Sequence, residues 1–480
     1  ALFDDLVQVD DGDSRPMKGC VMGFRRSTIV LLEVGLVFAL AGCDWSMYAF
    51  GPAHTSYNAT ESTVGVDNVN SLQEVWTAVL GPAQGGSVTP VTSRGIVYAT
   101  SDASPLKVEA FDARGSAGCS GVPKQCTPRW TATIVGAADS LQVSNRLVYV
   151  TTHAGRLFVF DAAGVRGCTG TPKTCTALWS ASGLSVLPGF VAPPAITRDF
   201  VYAPVGSGVS AYDAAGVAGC SGTPKICTPL WSVAGISPAV RGGVLYVSAV
   251  SSGIFEVRAY DAAGIQSCAG TPKTCAPLWV GRSGINADIV NYVTEPTVAN
   301  GVVWLGIRRG DEMSGGGALI GFAAAGNAGC AGTPKICDPI WQAPTSGVVY
   351  PAAVAKHVVY ALEYTYSDFG NTQAFQLSAF DLVACRTSTL SCSPLWTASL
   401  DAMPQGLAVA NGLVYLSTLD DRRIAAYDAT GTNGCSGSPV VCTPVWETTI
   451  SGAPTAPIIA NGVVYAGSRD DNVLHAYKLP

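Results

Sequence analysis

Sixteen cysteines are the residues of this 480-residue chain best equipped for chemistry, and fourteen of them stand in seven pairs of one spacing. The pairs are Cys119/Cys126, Cys168/Cys175, Cys220/Cys227, Cys268/Cys275, Cys330/Cys337, Cys385/Cys392 and Cys435/Cys442. Six residues lie between the members of each pair, including a proline in six of the seven loops, as in CSGTPKIC. Such a loop turns back on itself and brings two thiols within disulfide reach. Zinc is one rival, but structural sites use closer pairs in fours or add histidines, and His54, His153, His357 and His475 fall in no ligand pattern. A redox role calls for C-x-x-C spacing or a thiolate-stabilising setting, and neither is present. Seven local disulfides of an exported protein are the reading that stands, each worth about 2.5 kcal/mol of loop closure. Bridges between neighbouring repeats are the alternative connectivity.

The pairs belong to a longer phrase: an aromatic residue, a DAAG-like turn, the two cysteines, then a tryptophan. Six of the seven copies place the closing Trp 18 positions after the first turn position (Asp112, Asp161, Asp213, Asp261, Ala323, Asp428); the copy from Asp381 to Trp396 is three shorter. A period of roughly fifty residues is that of propeller blades, each a small sheet that must stack on its neighbours. Between tryptophans the text alternates with period two (GLVYLS, IAAYDA) and turns at NG, SG and DD pairs. That makes four strands per repeat: A after the Trp, B at the VY motif, C at the AYD motif and D at the LW motif. Composition agrees, with 54 Gly, 29 Pro and only 13% charged residues.

Eight tryptophans close D strands: Trp76, Trp130, Trp179, Trp231, Trp279, Trp341, Trp396 and Trp446. They are expected to dock adjacent blades, where ring area is best used. Trp76 has no A, B or C strand before it, and the segment from Ala456 to Pro480 has those three strands and no D. The expected fold is therefore all-β: an eight-bladed β-propeller of four-stranded antiparallel blades, the last closed by strands from both ends, which removes open edges.

This grammar resembles the PQQ-like β-propeller repeat, the blade family of quinoprotein dehydrogenases and of the lipoprotein BamB. In that family an aspartate ends a strand, a turn follows, and a Trp docks on the neighbouring blade; Asp112, Asp161, Asp213, Asp261, Asp381 and Asp428 match the aspartate. The stretch DWSMYAFGPAHTSYNATES resembles the opening of these proteins, so the likeness covers nearly all of the chain after residue 43. It implies a fold and leaves the activity open, since the same propeller hosts enzymes and scaffolds.

From Met22 the chain reads MGFRRSTIVLLEVGLVFALAGC, two arginines before an apolar run that ends at a cysteine. Leu40-Ala41-Gly42-Cys43 resembles the lipobox of bacterial lipoproteins, which implies cleavage before Cys43 and its lipidation. A retained membrane span is the rival, but the run falls short of the ~20 apolar residues needed and is broken by Glu33. Residues 1–21 read as an over-extended start, 22–42 as a lipoprotein signal peptide, 43–70 as a lipidated N-terminal linker leading into the ring, and 71–480 as the propeller. Localisation is expected outside the cytoplasm, at a periplasmic or cell-surface membrane.

In a four-stranded blade the A–B and C–D connections emerge on one face, so the stapled loops share that face. Five carry a lysine in one slot (Lys124, Lys173, Lys225, Lys273, Lys335), a ring of charge that could meet an anionic polymer or membrane or be plain solvated surface. The opposite face carries two long, charged and aromatic B–C connections. One holds Arg308, Arg309, Asp311 and Glu312; the other holds Tyr364, Tyr366, Asp368 and Phe369. These eight are the candidate binding residues.

A net charge of −6 without a basic block argues against nucleic acid. No GxSxG, HExxH or P-loop occurs, nor a CxxCH haem site or adjacent cysteines. The expectation is a binding or scaffold propeller for an envelope protein or polymer, without catalytic residues, metal or cofactor. A dehydrogenase-like enzyme using PQQ and Ca2+, a polysaccharide-acting propeller, and a self-assembling surface protein are the alternatives.

Overall fold

The computed structural model describes residues 44–81, 89–101, 104–184, 192–286, 290–309, 316–348, 350–367, 372–383 and 392–480. The expected signal peptide and Cys43 lie outside the described residues. The described residues form eight sheets arranged as the eight blades of a propeller. Blade 1 shows the plan: strand A at Val91–Ser93, B at Ile96–Ser101, C at Lys107–Asp112 and D at Trp130–Thr133, all antiparallel. Blade 8 takes A, B and C from Ile458–Ala460, Val463–Ser468 and Val473–Lys478, and its D strand, Gln73–Val79, from the other end of the chain. Trp76 pairs with Ala476 in that closure.

The B strands are buried along their whole length in several blades, for example Leu147–Thr152 and Leu413–Thr418. Period two is muted there because both faces of a blade are covered by neighbours. The core is accordingly a ring of layers; one joins Tyr98 and Trp130 of blade 1 to Val143 and Phe160 of blade 2.

The blades are not simply four-stranded. Each described cysteine loop forms a two-stranded hairpin, with the cysteines directly opposite one another, as in Cys168↔Cys175. That hairpin does not stay on its own blade. Its second strand pairs in parallel with strand D of the preceding blade: Lys173 lies beside Trp130 and Lys225 beside Trp179. Blades 1, 2, 3, 4, 6 and 8 thereby become six-stranded. The C–D loop, expected from sequence to be a turn on one face, is a strap across the seam between blades.

The straps also correct where the cysteines sit. Read as staples on exposed turns, both members of a pair should face solvent. Instead the second one is buried in Cys126, Cys175, Cys227, Cys337, Cys392 and Cys442, each part of an apolar layer between blades. Cys126 joins the layer of Trp76, Cys227 that of Trp179 and Cys337 that of Trp279. The reason is the parallel pairing, which presses the second strand of the hairpin against the neighbouring blade. The first cysteine, on the outer strand, stays half-buried, as at Cys119, Cys220 and Cys330. These bridges therefore contribute apolar volume to the seams as well as closing a loop.

The N-terminal segment Trp45–Asn58 closes the axis. Its carbonyls accept hydrogen bonds from one strand A after another: Trp45 from Thr92, Ser46 from Val143, Pro52 from Val240, Ala53 from Val298, Thr55 from Val354 and Ser56 from Val409. Asn58 Nδ2 then donates to Ile459 O of blade 8. One short segment can touch seven A strands only if those strands line the ring axis. The backbone contacts fall toward the A–B turns, so the plug lies at the end of the axis that carries the A–B and C–D connections, with His54 reaching in to Pro296 and Thr297 at the start of a strand A. Ala49, Phe50, His54 and Ser56 have positive φ, strain that the surrounding ring must hold in place.

Candidate binding face

The cysteine loops are architecture. Cys119–Cys126, Cys168–Cys175, Cys220–Cys227, Cys268–Cys275, Cys330–Cys337 and Cys435–Cys442 are disulfides; Cys392 is also disulfide-bonded, and Cys385 lies outside the described residues. The turn aspartates hold the loops: Asp112 Oδ2 accepts from Ser116 N, Ser116 Oγ and Ala117 N, and Asp428 from Thr430 and Asn433. Burial works against ionisation of Asp112 and Asp428, but these hydrogen bonds outweigh it and hold both carboxyls below the usual range.

Four lysines of the shared slot are exposed and also bond within their own loops. Lys124, Lys173, Lys225 and Lys335 donate Nζ to the carbonyls of Gly115, Gly164, Gly216 and Gly326. These four ammonium groups brace their own loops while remaining exposed on that face. The same glycines fit the tryptophans. Gly164 has φ +65°, and a Cβ there would lie 2.3 Å from Trp130 Cδ1. Gly115, Gly216, Gly264, Gly326 and Gly431 stand likewise over Trp76, Trp179, Trp231, Trp279 and Trp396. A glycine is thus required both by the backbone and by the indole beneath it.

On the opposite face two of the eight candidates meet. The Arg308 guanidinium lies 5.0 Å from the centre of the Tyr364 ring, and Tyr364 packs on Phe375 at 5.0 Å. Gly347, between blades 5 and 6, makes this possible: a Cβ there would lie 2.6 Å from Arg308 Cγ. Glu363 holds the same segment by accepting from Ser346 N and Oγ. Tyr364 is buried, so it supports the arginine and is not itself a surface anchor. Arg309 and Tyr366 are described as strand backbone only, and Asp311, Glu312, Asp368 and Phe369 lie outside the described residues.

The connection that packs on Arg308 continues to Tyr350, part of a polar cluster that sequence reasoning missed. Gln405 Nε2 donates to the Tyr350 hydroxyl at 3.1 Å. Burial pushes the Tyr350 phenol up, the positive charge of Arg469 opposes the shift, and the negative charge of Glu295 adds to it. Gln405 therefore touches Tyr350, and the charges of Glu295 and Arg469 both reach its phenol from the D–A and B–C connections of blades 5 and 8. Glu295 is buried, and loss of water pushes its carboxyl up to about 7. His54 of the plug bonds to the backbone of Pro296, and burial lowers its imidazole to about 4, so it is neutral at physiological pH. The available signal was Glu295 itself, an acid in TEPTVAN where sister connections have only small or proline residues, as in TAPIIAN.

Among the described residues no three His, Cys, Asp or Glu side chains converge as a metal site. The cluster offers an acid near neutrality, a phenol, an amide and a guanidinium, a set suited to hydrogen-bonded recognition of a polar group.

No protein-family model matches the sequence, and no curated protein matches it. Solved structures do. BamB from Moraxella catarrhalis matches with a TM-score of 0.55 and 14% identity over 85% of this chain and 99% of its own. Quinohemoprotein alcohol dehydrogenase from Comamonas testosteroni matches with a TM-score of 0.61 and 14% identity, covering 92% of this chain and 81% of its own. A europium-containing methanol dehydrogenase matches at 0.54 and 14%, covering 91% and 98%. The chain has the PQQ-like eight-bladed β-propeller fold. At these identities the likeness is one of fold, and it extends to a computationally designed protein, Ika8, at a TM-score of 0.54 and 12% identity over 84% of this chain and 99% of its own.

Proposed function

We propose that this chain is an exported binding propeller, held to a membrane by lipid on Cys43, that engages an envelope protein through the face bearing the B–C and D–A connections. The observation that carries this reading is the asymmetry of the two ends of the ring. One end is filled by the plug and braced loops, while the other gathers Glu295, Tyr350, Gln405 and Arg469 beside the Arg308–Tyr364 pair. Asp44, next to the lipidated position, accepts from Arg94 N and Asn461 Nδ2 at the A–B turns of blades 1 and 8. A lipid on Cys43 would therefore tether the plugged end and leave the polar end facing away from the membrane. Disulfides support export.

The reading includes no quinone cofactor. All ten tryptophans are buried, nine packed in the blades and Trp45 in the plug itself, so none is offered at the axis for a planar ring to stack on. An enzyme is the second reading, favoured by one observation: a buried carboxyl at about 7 at the mouth of the axis is poised for proton transfer.

Photocrosslinking in cells from positions 308 and 469, both half-buried, against a control at exposed Ile226 on a strap, tests the binding face. A single envelope protein trapped from 308 and 469 and absent from 226 is expected; identical products from all three positions would overturn it. Loss of labelled fatty acid in Cys43→Ser checks the anchor.

A further inference from the structure

Strands D of blades 1, 2, 3, 4, 6 and 8 are covered by the strap of the following repeat; for blade 5 the covering loop falls outside the described residues. Blade 7 differs. Its strand D, Trp446–Thr449, pairs among the described residues only with strand C, Arg423–Asp428, because the C and D strands of blade 8, Val473–Lys478 and Gln73–Val79, are not consecutive in sequence and no short C–D loop joins them.

Three marks of the missing strap are visible. In blades 1, 2, 3, 4, 6 and 8 a tyrosine of strand B donates its hydroxyl to the carbonyl after the turn aspartate position of the next blade, as Tyr98 to Ala162 and Tyr360 to Ala429. Tyr415 of blade 7 is fully buried, and its hydroxyl has no hydrogen-bond partner among the described residues. Trp446 has no lid glycine and is 8% exposed, against 0–4% for the other seven docking tryptophans. The residue after the tryptophan gives its N–H to the strap in the sister blades, as Ser232 to Lys273 O and Thr77 to Lys124 O. In blade 7 that residue is Glu447, and it is exposed.

A groove of about 860 Å3 runs across this edge, from Ser399 and Asp401 of blade 6, past Arg423, Trp446 and Glu447, to Leu72 at the approach to blade 8. Asp401 and Glu447 share the single cation Arg423 with Asp421, so the groove is acidic. We propose that the outer edge of blade 7 is a docking site for an extended, basic segment of a partner polypeptide, which adds in parallel to Trp446–Thr449 as the straps do on the sister edges. The partner backbone accepts the Glu447 N–H, an apolar or glycine residue covers Trp446, and a lysine or arginine meets Asp401 and Glu447. This site is separate from the binding face proposed above.

The probe is the chain's own strap, a disulfide-closed, dye-labelled peptide spanning residues 213–228, titrated against the full chain by fluorescence anisotropy. Saturable one-to-one binding is expected, lost in Glu447→Pro and at least tenfold weaker in Asp401→Lys, whose exposed side chain makes misfolding no explanation. A peptide with Ile226→Glu, the exposed strap position that lies beside the residue after the tryptophan, should bind at least tenfold more weakly, and Val165→Glu at an exposed position of the protein away from this edge should leave binding unchanged. No saturation with the unaltered protein, or equal binding to Glu447→Pro, overturns the proposal. So does self-association of the chain that Glu447→Pro abolishes while the peptide fails to bind, which would make the edge a contact between copies.

Discussion

The seam between blades 1 and 2 and the seam between blades 7 and 8 are built from the same parts, a tyrosine on strand B and a tryptophan on strand D. At the first, Ala162 O receives both Tyr98 Oη and Trp130 Nε1, Gly164 covers the indole, and a disulfide-closed strap lies along strand D. At the second, Tyr415 has no acceptor among the described residues and Trp446 has no lid. The difference separates what docks a blade from what seals it. Aromatic burial is enough to bring blades together, because both seams are packed; sealing the outer edge takes the loop that only a continuous C–D connection supplies.

The comparison can be broken most forcefully at the tryptophans. Trp130→Ala should cost about 4 kcal/mol, and Trp446→Ala about half of that, because its site already lacks one wall; urea unfolding of both variants measures the difference. Equal losses would mean that the strap adds nothing to the packing of the indole. Opening a staple comes next. In the Cys268→Ser, Cys275→Ser double variant the loop forfeits up to about 2.5 kcal/mol, with less reaching the whole ring. The Ser232 amide, now bonded to Lys273 O, should then exchange its hydrogen nearly as fast as that of Glu447. Protection unchanged at Ser232 would show that the strap holds without its disulfide. The smallest effect is the sharpest test: Tyr98→Phe should lose about 1 kcal/mol, whereas Tyr415→Phe should be neutral or slightly stabilising, since it removes a buried hydroxyl without a partner.

Much of the ring was legible. Trp76 without strands before it, and the strands around Tyr465 and Tyr477 without a Trp after them, announced the closure of the last blade. The cysteine pairs could be read because two thiols seven positions apart in a proline turn find each other locally. The destination of that hairpin could not, and with it the burial of Cys126, Cys227 and Cys337 in the seams. A parallel pairing of two or three residues, such as Lys225 beside Trp179, leaves no period in the sequence, and its register is set by a neighbouring blade some 45 residues away. The plug was hidden for a related reason: a segment with positive φ at Ala49, Phe50, His54 and Ser56 follows the curve of the axis and shows no hydrophobic pattern of its own. Of the candidate binding residues, Arg308 and Tyr364 were found as loop anomalies. Glu295, Tyr350, Gln405 and Arg469 were not, because they lie on four different blades and only ring closure brings them together.

By itself the sequence determined the blade count, the closure of the ring and the pairing of the cysteines, all properties of a repeat whose contacts are short in sequence or periodic along it. The tertiary structure alone decided that the stapled loops are straps, that one end of the axis is plugged, and that among the described residues the edge of blade 7 is left open. Those outcomes depend on which strand lies beside which once eight sheets share a circle, and a blade whose C and D strands are far apart in sequence has no short C–D loop to send across its neighbour.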